Sequence, residues 1–254
     1  MKSRYHENGY FVIRNLFTVE EISIVSEVLI EFHELWMKRN LEYYTKGVIN
    51  SAYITGTEYL DQAKRNLLFQ FIGSSKLMTV VSNILPQRHA AFMNTQLFFD
   101  PMDKEQKNYW HRDPQYNLSL DQQKEALNGP EVIHFRIPLV DEPGIELVPK
   151  SHKNWDSEEE LDVRLQRNNR KNCEDLSTGY IVELNAGDLL VFSANIIHRG
   201  LYGMDRLSLD ILFCEPERSL SQFINEDCLP SRDFLENIEN PSAFMNTLKL
   251  KAER

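Results

Sequence analysis

Six short β-rich segments in the second half of the chain limit the fold more than any other feature. Turn-forming residues separate them, as at Asn128-Gly129-Pro130 and Asn185-Ala186-Gly187. Short strands spaced by such turns are typical of sandwiches and jelly rolls, in which antiparallel strands enclose one core. The six segments are residues 91–99, 132–139, 145–148, 180–184, 188–192 and 206–213.

The first 90 residues have mainly helical periodicity. Residues 10–13 resemble a short strand, and the spacing of Thr18 and Glu21 then predicts an N-cap with a capping box. Apolar residues recur at helical spacing behind this cap. Two further helices are predicted over residues 61–71 and 75–85, the second ending before Pro86. We therefore predict a mainly β fold, with the early helices packed against one sheet.

The composition is that of an ordinary globular protein and argues against some classes of partner. The chain has 254 residues, 42% of them hydrophobic and 26% charged, and a formal net charge of -10, which argues against nucleic-acid binding. No apolar stretch approaches the roughly 20 residues that span a bilayer, so no membrane contact is expected. Three widely spaced cysteines predict neither a disulfide framework nor a thiolate metal site, and we expect a reducing cytoplasm. Monomer and homodimer both stay open.

The segment His111-Arg112-Asp113 is a candidate metal-binding motif. In an extended chain residues i and i+2 point to the same side, so His111 and Asp113 can reach one ion while Arg112 faces away. Two imidazoles and one carboxylate form the facial triad of non-haem Fe(II) oxygenases, which leaves three positions on the metal open. The alternative for this short motif alone is a surface turn, favoured by Pro114.

A second histidine and an Arg-x-Ser pair follow in the order that such a site requires. His198 comes after an apolar strand, and Arg206 and Ser208 lie on one face of the next strand. A guanidinium can bind a carboxylate through two hydrogen bonds, and the Ser208 hydroxyl can add a third. The alternatives are a structural histidine at a strand end and a surface salt bridge from Arg206 to Asp205 or Asp210.

With these residues in order, the chain resembles the phytanoyl-CoA dioxygenase family of Fe(II)- and 2-oxoglutarate-dependent oxygenases. The similarity extends from about Tyr5 to Phe213 and includes the segments ENGYFVIRNLFTVEEI, YWHRDPQY, IPLVDEPGIELVPKSHK, VELNAGDLLVFSANIIHRG and RLSLDIL. The resemblance implies a double-stranded β-helix, that is, a cupin-like jelly-roll core. We expect one domain, with a helical part over about 1–90, the core over about 91–214 and an extension over 215–254.

The resemblance also implies a role for each residue of the site. His111, Asp113 and His198 would bind Fe(II), and the cosubstrates would be 2-oxoglutarate and O2. Arg206 would bind the distal carboxylate of 2-oxoglutarate with Ser208. The further candidate residues for cosubstrate or substrate binding are Gln96, Asn94, Arg136, Tyr109, Trp110 and Tyr116.

Each of these further candidates has a more precise expectation. Gln96 and the weaker candidate Asn94 would contact 2-oxoglutarate. Arg136 would bind its C1 carboxylate or an anionic substrate, unless it faces outward from the sheet. Tyr109, Trp110 and Tyr116 would line the substrate entrance, although core packing is expected for at least one of them.

The sequence departs from the family pattern in two places. Lys150 stands where the family has glycine in a stretch that ends at His152 and that we interpret mainly as a supporting turn. The step from His198 to Arg206 is short, so Arg199 is the alternative carboxylate-binding residue. We expect residues 153–179 to form a lid and residues 215–254 to pack on the barrel or to form a dimer contact.

The expected reaction is hydroxylation of an unactivated C–H bond of a small metabolite, with release of succinate and CO2. Related halogenases lose the carboxylate at the position of Asp113, and its presence favours hydroxylation. Two alternatives stay open: a cupin-type metalloprotein, an isomerase or dioxygenase, that does not use 2-oxoglutarate, and a catalytically silent binding module. The sequence does not identify the substrate.

Overall fold

Two antiparallel sheets form the core of the computed structural model, which describes residues 1–85 and 90–252. The larger sheet has six strands in the order β1-β7-β4-β9-β3-β2, and the smaller has three in the order β6-β5-β8. The strands are β1 Tyr10–Ile13, β2 Asn50–Ala52, β3 Ala91–Phe99, β4 Val132–Pro138, β5 Glu142–Leu147, β6 Tyr180–Leu184, β7 Leu189–Ser193, β8 His198–Gly200 and β9 Leu207–Cys214.

Eight α-helices flank the sheets within the described residues. They are α1 Lys2–Asn8, α2 Val19–Arg39, α3 Leu41–Thr45, α4 Gln62–Ile72, α5 Ser75–Ile84, α6 Leu120–Ala126, α7 Glu158–Arg164 and α8 Ser242–Ala252. The predicted capping box of α2 is present: Glu21 N–H donates to Thr18 Oγ1 at 3.3 Å and Thr18 N–H to Glu21 Oε2 at 2.7 Å. The predicted jelly-roll core with flanking helices is confirmed.

Alternation along β4 and β9 separates the hydrophobic core from the interior of the barrel. Ile133, Phe135 and Ile137 of β4 are fully buried in the main apolar cluster, which lies between the six-stranded sheet and the helices. Successive side chains of a strand point to opposite faces, so His134 and Arg136 face the other way. Apolar side chains of β5, β6 and β7 pack together in a second cluster, which joins the two sheets.

The sequence pattern located most of these strands, and the structure shows where it failed. All seven predicted strands, including residues 10–13, are present, with ends shifted by three residues at most. Strands β2 and β8, of three residues each, and helices α1, α3 and α6 were not predicted. Helix α5 ends at Ile84, one residue before its predicted end at Leu85.

Within residues 1–85 and 90–252, no single helix is long and apolar enough to cross a membrane. One bent pair, α4 with α5 at 49°, passes the same test of length and composition.

Candidate metal centre

His111, Asp113 and His198 come together in the structure. A ladder bridge joins His111 to His198, with N–H···O distances of 3.0 and 2.9 Å in the two directions. The Nε2 atoms of His111 and His198 lie 3.6 and 3.7 Å from Asp113 Oδ1. One potential ligand atom from each residue lies within 4.8 Å of the others.

Both histidines present a free Nε2 lone pair to this point. The Nδ1 atom of His111 lies 3.1 Å from Tyr109 O, and that of His198 lies 3.0 Å from Ile196 O. A carbonyl accepts only from a protonated nitrogen, so Nδ1 carries the hydrogen and Nε2 stays unprotonated. Burial lowers the pKa of His111, and it lowers that of His198 to about 3. Two neutral imidazoles and one carboxylate therefore fit Fe(II).

His134, which was not predicted as a site residue, holds the carboxylate of the candidate ligand Asp113. Its Nε2 lies 2.7 Å from Asp113 Oδ2, and its Nδ1 lies 3.1 Å from Asp210 Oδ2. The ring stacks on Phe192 at 4.5 Å. Burial by itself would lower the pKa of His134, but the charges of Asp210 and Asp113 raise it to about 10. Asp113 thus keeps Oδ1 free for a metal.

The pKa of Asp113 is shifted in the direction that a metal ligand needs. Burial by itself would raise this pKa, but the charge and hydrogen bond of His134 outweigh burial and lower it well below its ordinary value. The carboxylate is therefore ionised at neutral pH.

A second polar group in the same cavity contains two buried arginines. The side chains of Arg136 and Arg206 are 2% and 1% exposed, and both guanidiniums lie over the Phe98 ring, at 5.2 and 5.6 Å. Burial and the nearby charge of Arg136 lower the pKa of Arg206 to about 9. Arg136 thus faces inward, as one of its two predicted orientations required.

Glu142, a second residue that was not predicted, lies between these arginines. Its carboxylate is 3.0 Å from Arg136 Nη2 and 3.6 Å from Arg206 Nε, and the Ser208 hydroxyl donates to it at 2.5 Å. Arg206 Nε is buried and makes no hydrogen bond within the described chain. Two guanidiniums against one carboxylate leave an excess positive charge, which suits an anionic ligand.

The three candidate ligands and both arginines line one cavity of about 740 Å³, whereas Glu142 and Ser208 lie behind the arginines and do not line it. Gln96, Asn94, Tyr109 and Tyr116 also line it. The Tyr109 and Tyr116 hydroxyls lie 2.8 Å apart. Trp110 does not line the cavity: it is 0% exposed, and its Nε1 donates to Glu174 O at 2.8 Å. The structure therefore corrects the expectation for Trp110, which packs in the core with Val163 and Ile197.

The sequence model of one protein family matches residues 5–201, and its description is phytanoyl-CoA dioxygenase (PhyH). The chain belongs to the phytanoyl-CoA dioxygenase family. Members of this family are Fe(II)- and 2-oxoglutarate-dependent oxygenase-type enzymes, and their cosubstrates are 2-oxoglutarate and O2. The cofactors expected from the sequence are those of the family. No curated protein matches the chain significantly in sequence.

Solved structures with the same fold have low sequence identity to the chain. AviO1 from Streptomyces viridochromogenes Tue57 is 16% identical with a TM-score of 0.59, over 84% of this chain and 93% of that one. EctD from S. alaskensis with 2-oxoglutarate and 5-hydroxyectoine is 14% identical, with a TM-score of 0.58 over 84% and 74%. The non-heme alpha ketoglutarate dependent epimerase SnoN from nogalamycin biosynthesis is 15% identical, with a TM-score of 0.52 over 85% and 81%.

The short step from His198 to Arg206, one departure from the phytanoyl-CoA dioxygenase pattern, still brings Arg206 into the cavity. A Cβ atom on Gly200 would lie only 2.6 Å from Arg206 Nη2, so the missing side chain makes room for the guanidinium. The alternative residue, Arg199, points elsewhere. It pairs with Glu146 at 2.6 Å and Asp175 at 2.5 Å, and it does not line the cavity.

The backbone conformation of Lys150, the other departure, explains why the family has glycine at this position. Its φ is +71°, in the left-handed region that favours glycine. The turn supports the site as predicted: Ser151 Oγ accepts from Ile197 N–H at 2.8 Å, and Arg112 Nη1 donates to Ser151 O at 2.7 Å.

The segment 153–179, expected to form a lid, does not line the cavity within the described chain. Asp156 fixes it to the barrel through a pair with Arg112 at 2.8 Å, and it also pairs with Arg164 of the same segment at 2.7 Å. All three side chains are 0–1% exposed in these pairs. The segment therefore packs against the part of the barrel that carries the metal-binding residues.

Proposed function

We propose that the protein hydroxylates an unactivated C–H bond of a small molecule, with release of succinate and CO2. One observation carries this proposal: two histidines, one aspartate and an arginine pair face a single cavity of about 740 Å³. A cupin-type metalloprotein that does not use 2-oxoglutarate would not need the arginine pair, and a silent binding module would not need the three ligands.

The three ligands would hold the iron from one side. His111 and His198 would bind through Nε2, which their Nδ1–H···O=C contacts keep unprotonated. Asp113 would bind through Oδ1, while His134 holds Oδ2. Such outer hydrogen bonds fix the orientation of ligands and raise metal affinity. Bound Fe(II) would supply the activation of O2 that is coupled to the oxidation of 2-oxoglutarate and breaks the C–H bond.

The arginine pair would bind the cosubstrate. We assign the distal carboxylate of 2-oxoglutarate to Arg206 and Ser208, with Gln96 and Asn94 as further contacts. Arg136 would contribute the second positive charge. Glu142 orients both guanidiniums and would share them with the incoming carboxylate, since Ser208 Oγ and Arg206 Nε already face it.

Hydroxylation is proposed because the carboxylate of Asp113 occupies the position that a halogenase leaves open for a halide. Proteins of similar structure carry out other reactions too, since they include the epimerase SnoN and the carbocyclase SnoK. Product analysis therefore has to accompany any measurement of turnover.

Succinate release from 2-oxoglutarate under air, with Fe(II) and a library of candidate metabolites, tests the proposal. We expect release with wild type, its loss in His111→Ala and His198→Ala, and a raised 2-oxoglutarate requirement in Arg206→Ala. Arg199→Lys is the matched control, because Arg199 lies outside the cavity and should keep the wild-type requirement. An equal requirement in Arg206→Ala and wild type would remove Arg206 from the cosubstrate site.

Three further expectations are part of the proposal. The chain acts as one oxygenase domain, and the tail after residue 214 belongs to it because α8 bonds to β3 through Thr247 Oγ1 and Phe92 O at 2.7 Å. The three cysteines are free thiols, as a reducing cytoplasm would keep them.

A further inference from the structure

The cavity has a charged end and an apolar end, with the metal-binding residues between them. Arg136, His134 and Val132 occupy successive inward positions of β4, and a two-residue step along a strand covers about 7 Å. His134 marks the level of the metal because it contacts Asp113. The part beyond His134 is therefore the side where a substrate can approach while 2-oxoglutarate is bound.

The C-terminal extension closes this far side. Strand β9 ends at Cys214, opposite Val132, and the chain continues directly into a 3-10 helix, Arg218–Phe223. Leu220 and Phe223 of this helix line the cavity, as do Met93 and Ala194. We call Met93, Val132, Ala194, Leu220 and Phe223 the apolar end.

Helix α8 holds the 3-10 helix in place. The Lys251 ammonium donates to Ser221 O at 3.4 Å and to Ile224 O at 3.0 Å. The family match ends at residue 201, so Leu220 and Phe223 belong to sequence that the family model does not cover.

Every charged side chain on the cavity wall already has a role at the metal or at the arginine pair. Among the residues that the structure describes, those side chains are His134 with its partners Asp113 and Asp210, and Arg136 and Arg206, which share Glu142. The exposed lining residues are uncharged and include Tyr53, Tyr116, Ser219 and Gln222. A substrate anion would thus lose its hydration without gaining a cation.

We infer that the apolar end binds an uncharged, predominantly apolar small molecule, and that Leu220 and Phe223 select it. This inference rests on the proposed function, because it takes the charged end to be filled by 2-oxoglutarate. Once 2-oxoglutarate occupies the arginine pair, the described lining offers no further unpaired cation to the phosphates of a nucleotide or a coenzyme A thioester. Such a substrate is therefore not expected, despite the name of the family.

Two fluorescent probes that differ by one charge test the inference. N-phenyl-1-naphthylamine is neutral, and 8-anilino-1-naphthalenesulfonate adds a sulfonate to the same aromatic framework. We would titrate both into the full chain with Fe(II) and 2-oxoglutarate under anaerobic conditions. The expected result is a dissociation constant at least tenfold lower for the neutral probe.

Substitutions at the apolar end locate the binding. Phe223→Arg should weaken binding of the neutral probe at least tenfold and strengthen binding of the sulfonate probe, since it places a cation on the apolar wall. Leu220→Lys should act in the same direction and serves if Phe223→Arg does not fold. Phe234→Ala is the matched control, because Phe234 is a half-buried phenylalanine of the same tail outside the cavity. Both of its dissociation constants should stay within twofold of wild type.

The visible absorption of the Fe(II)–2-oxoglutarate complex, recorded in the same samples, separates the two levels of the proposal. If this absorption is present but both probes bind wild type equally, the inference is wrong and the proposed function stands. The inference is also wrong if neither cationic variant changes the ratio of the two dissociation constants. If the absorption is absent, the proposed function fails and the inference fails with it.

Discussion

Replacing Gly200 by alanine tests whether Arg206 has to lie in its observed position for 2-oxoglutarate to bind. The added Cβ would lie 2.6, 2.8 and 3.0 Å from Nη2, Nη1 and Cζ of Arg206, whereas ordinary contact begins at 3.4 Å. Arg206 is 2% exposed and therefore has little room to retreat. The φ of Gly200 lies outside the left-handed region, so alanine introduces a steric effect without backbone strain.

Overpacking of this kind costs about 1–3 kcal/mol in a well-packed site. If that cost falls on the guanidinium position, the dissociation constant for 2-oxoglutarate should rise about 5- to 150-fold, since about 1.4 kcal/mol corresponds to a factor of ten. Anaerobic titration of the Fe(II) protein with 2-oxoglutarate measures it. Gly129→Ala is the control, because its Cβ would be no closer than 3.4 Å to any neighbour.

A double-mutant cycle shows whether the effect passes through Arg206. Arg206→Lys should weaken 2-oxoglutarate binding in the otherwise wild-type protein and weaken it much less in the Gly200→Ala background. The reason is that the effects of substitutions at contacting residues are not additive. Fully additive effects, or wild-type affinity in Gly200→Ala, would refute the assignment of Arg206.

Four further predictions concern residues around the site. His134→Gln should lower iron affinity about 10- to 100-fold in a metal titration, because Asp113 loses its outer hydrogen bond; an unchanged affinity would contradict this role. Glu142→Gln should lower the free energy of unfolding by about 3 kcal/mol, since it leaves two buried guanidiniums without their carboxylate, and 2-oxoglutarate should restore part of the loss; denaturant unfolding with and without 2-oxoglutarate measures both effects. Lys150→Gly should raise the unfolding free energy by about 1 kcal/mol relative to Lys150→Ala, which keeps the left-handed strain. Burial lowers the pKa of His152 to about 4, so the unfolded chain binds a proton first as the pH falls below 6.5; stability should fall by about 3 kcal/mol between pH 6.5 and 4, and unfolding of His152→Leu at several pH values should show a smaller fall.

The sequence predicted the features that depend on local pattern. Alternating apolar residues and glycine or asparagine turns located the long strands, and the i, i+2 spacing of His111 and Asp113 identified two of the three candidate metal ligands. The resemblance then supplied the order that includes His198 and Arg206. These signals are local or depend only on order along the chain, so they are readable without a structure.

The features that the sequence did not reveal depend on contacts between distant residues. His134 lies in an apolar strand, and only the register with β9 brings it to Asp210. Glu142 belongs to a Glu-Pro-Gly turn signal and gave no sign that it faces the arginine pair. Strand β8 is three residues long, too short for alternation to show. The charged composition of residues 153–179 resembled a mobile lid because its buried partner, Arg112, lies 44 residues before Asp156.

Anaerobic addition of 2-oxoglutarate to the Fe(II)-loaded protein tests the central claim most directly. Binding of the 2-oxo acid to iron gives a visible charge-transfer absorption, which neither component has alone. The proposed site predicts this absorption with one equivalent each of Fe(II) and 2-oxoglutarate in wild type, and its loss in His198→Ala. Fe(II) binding without the absorption at saturating 2-oxoglutarate, or the same absorption in His198→Ala, would contradict it.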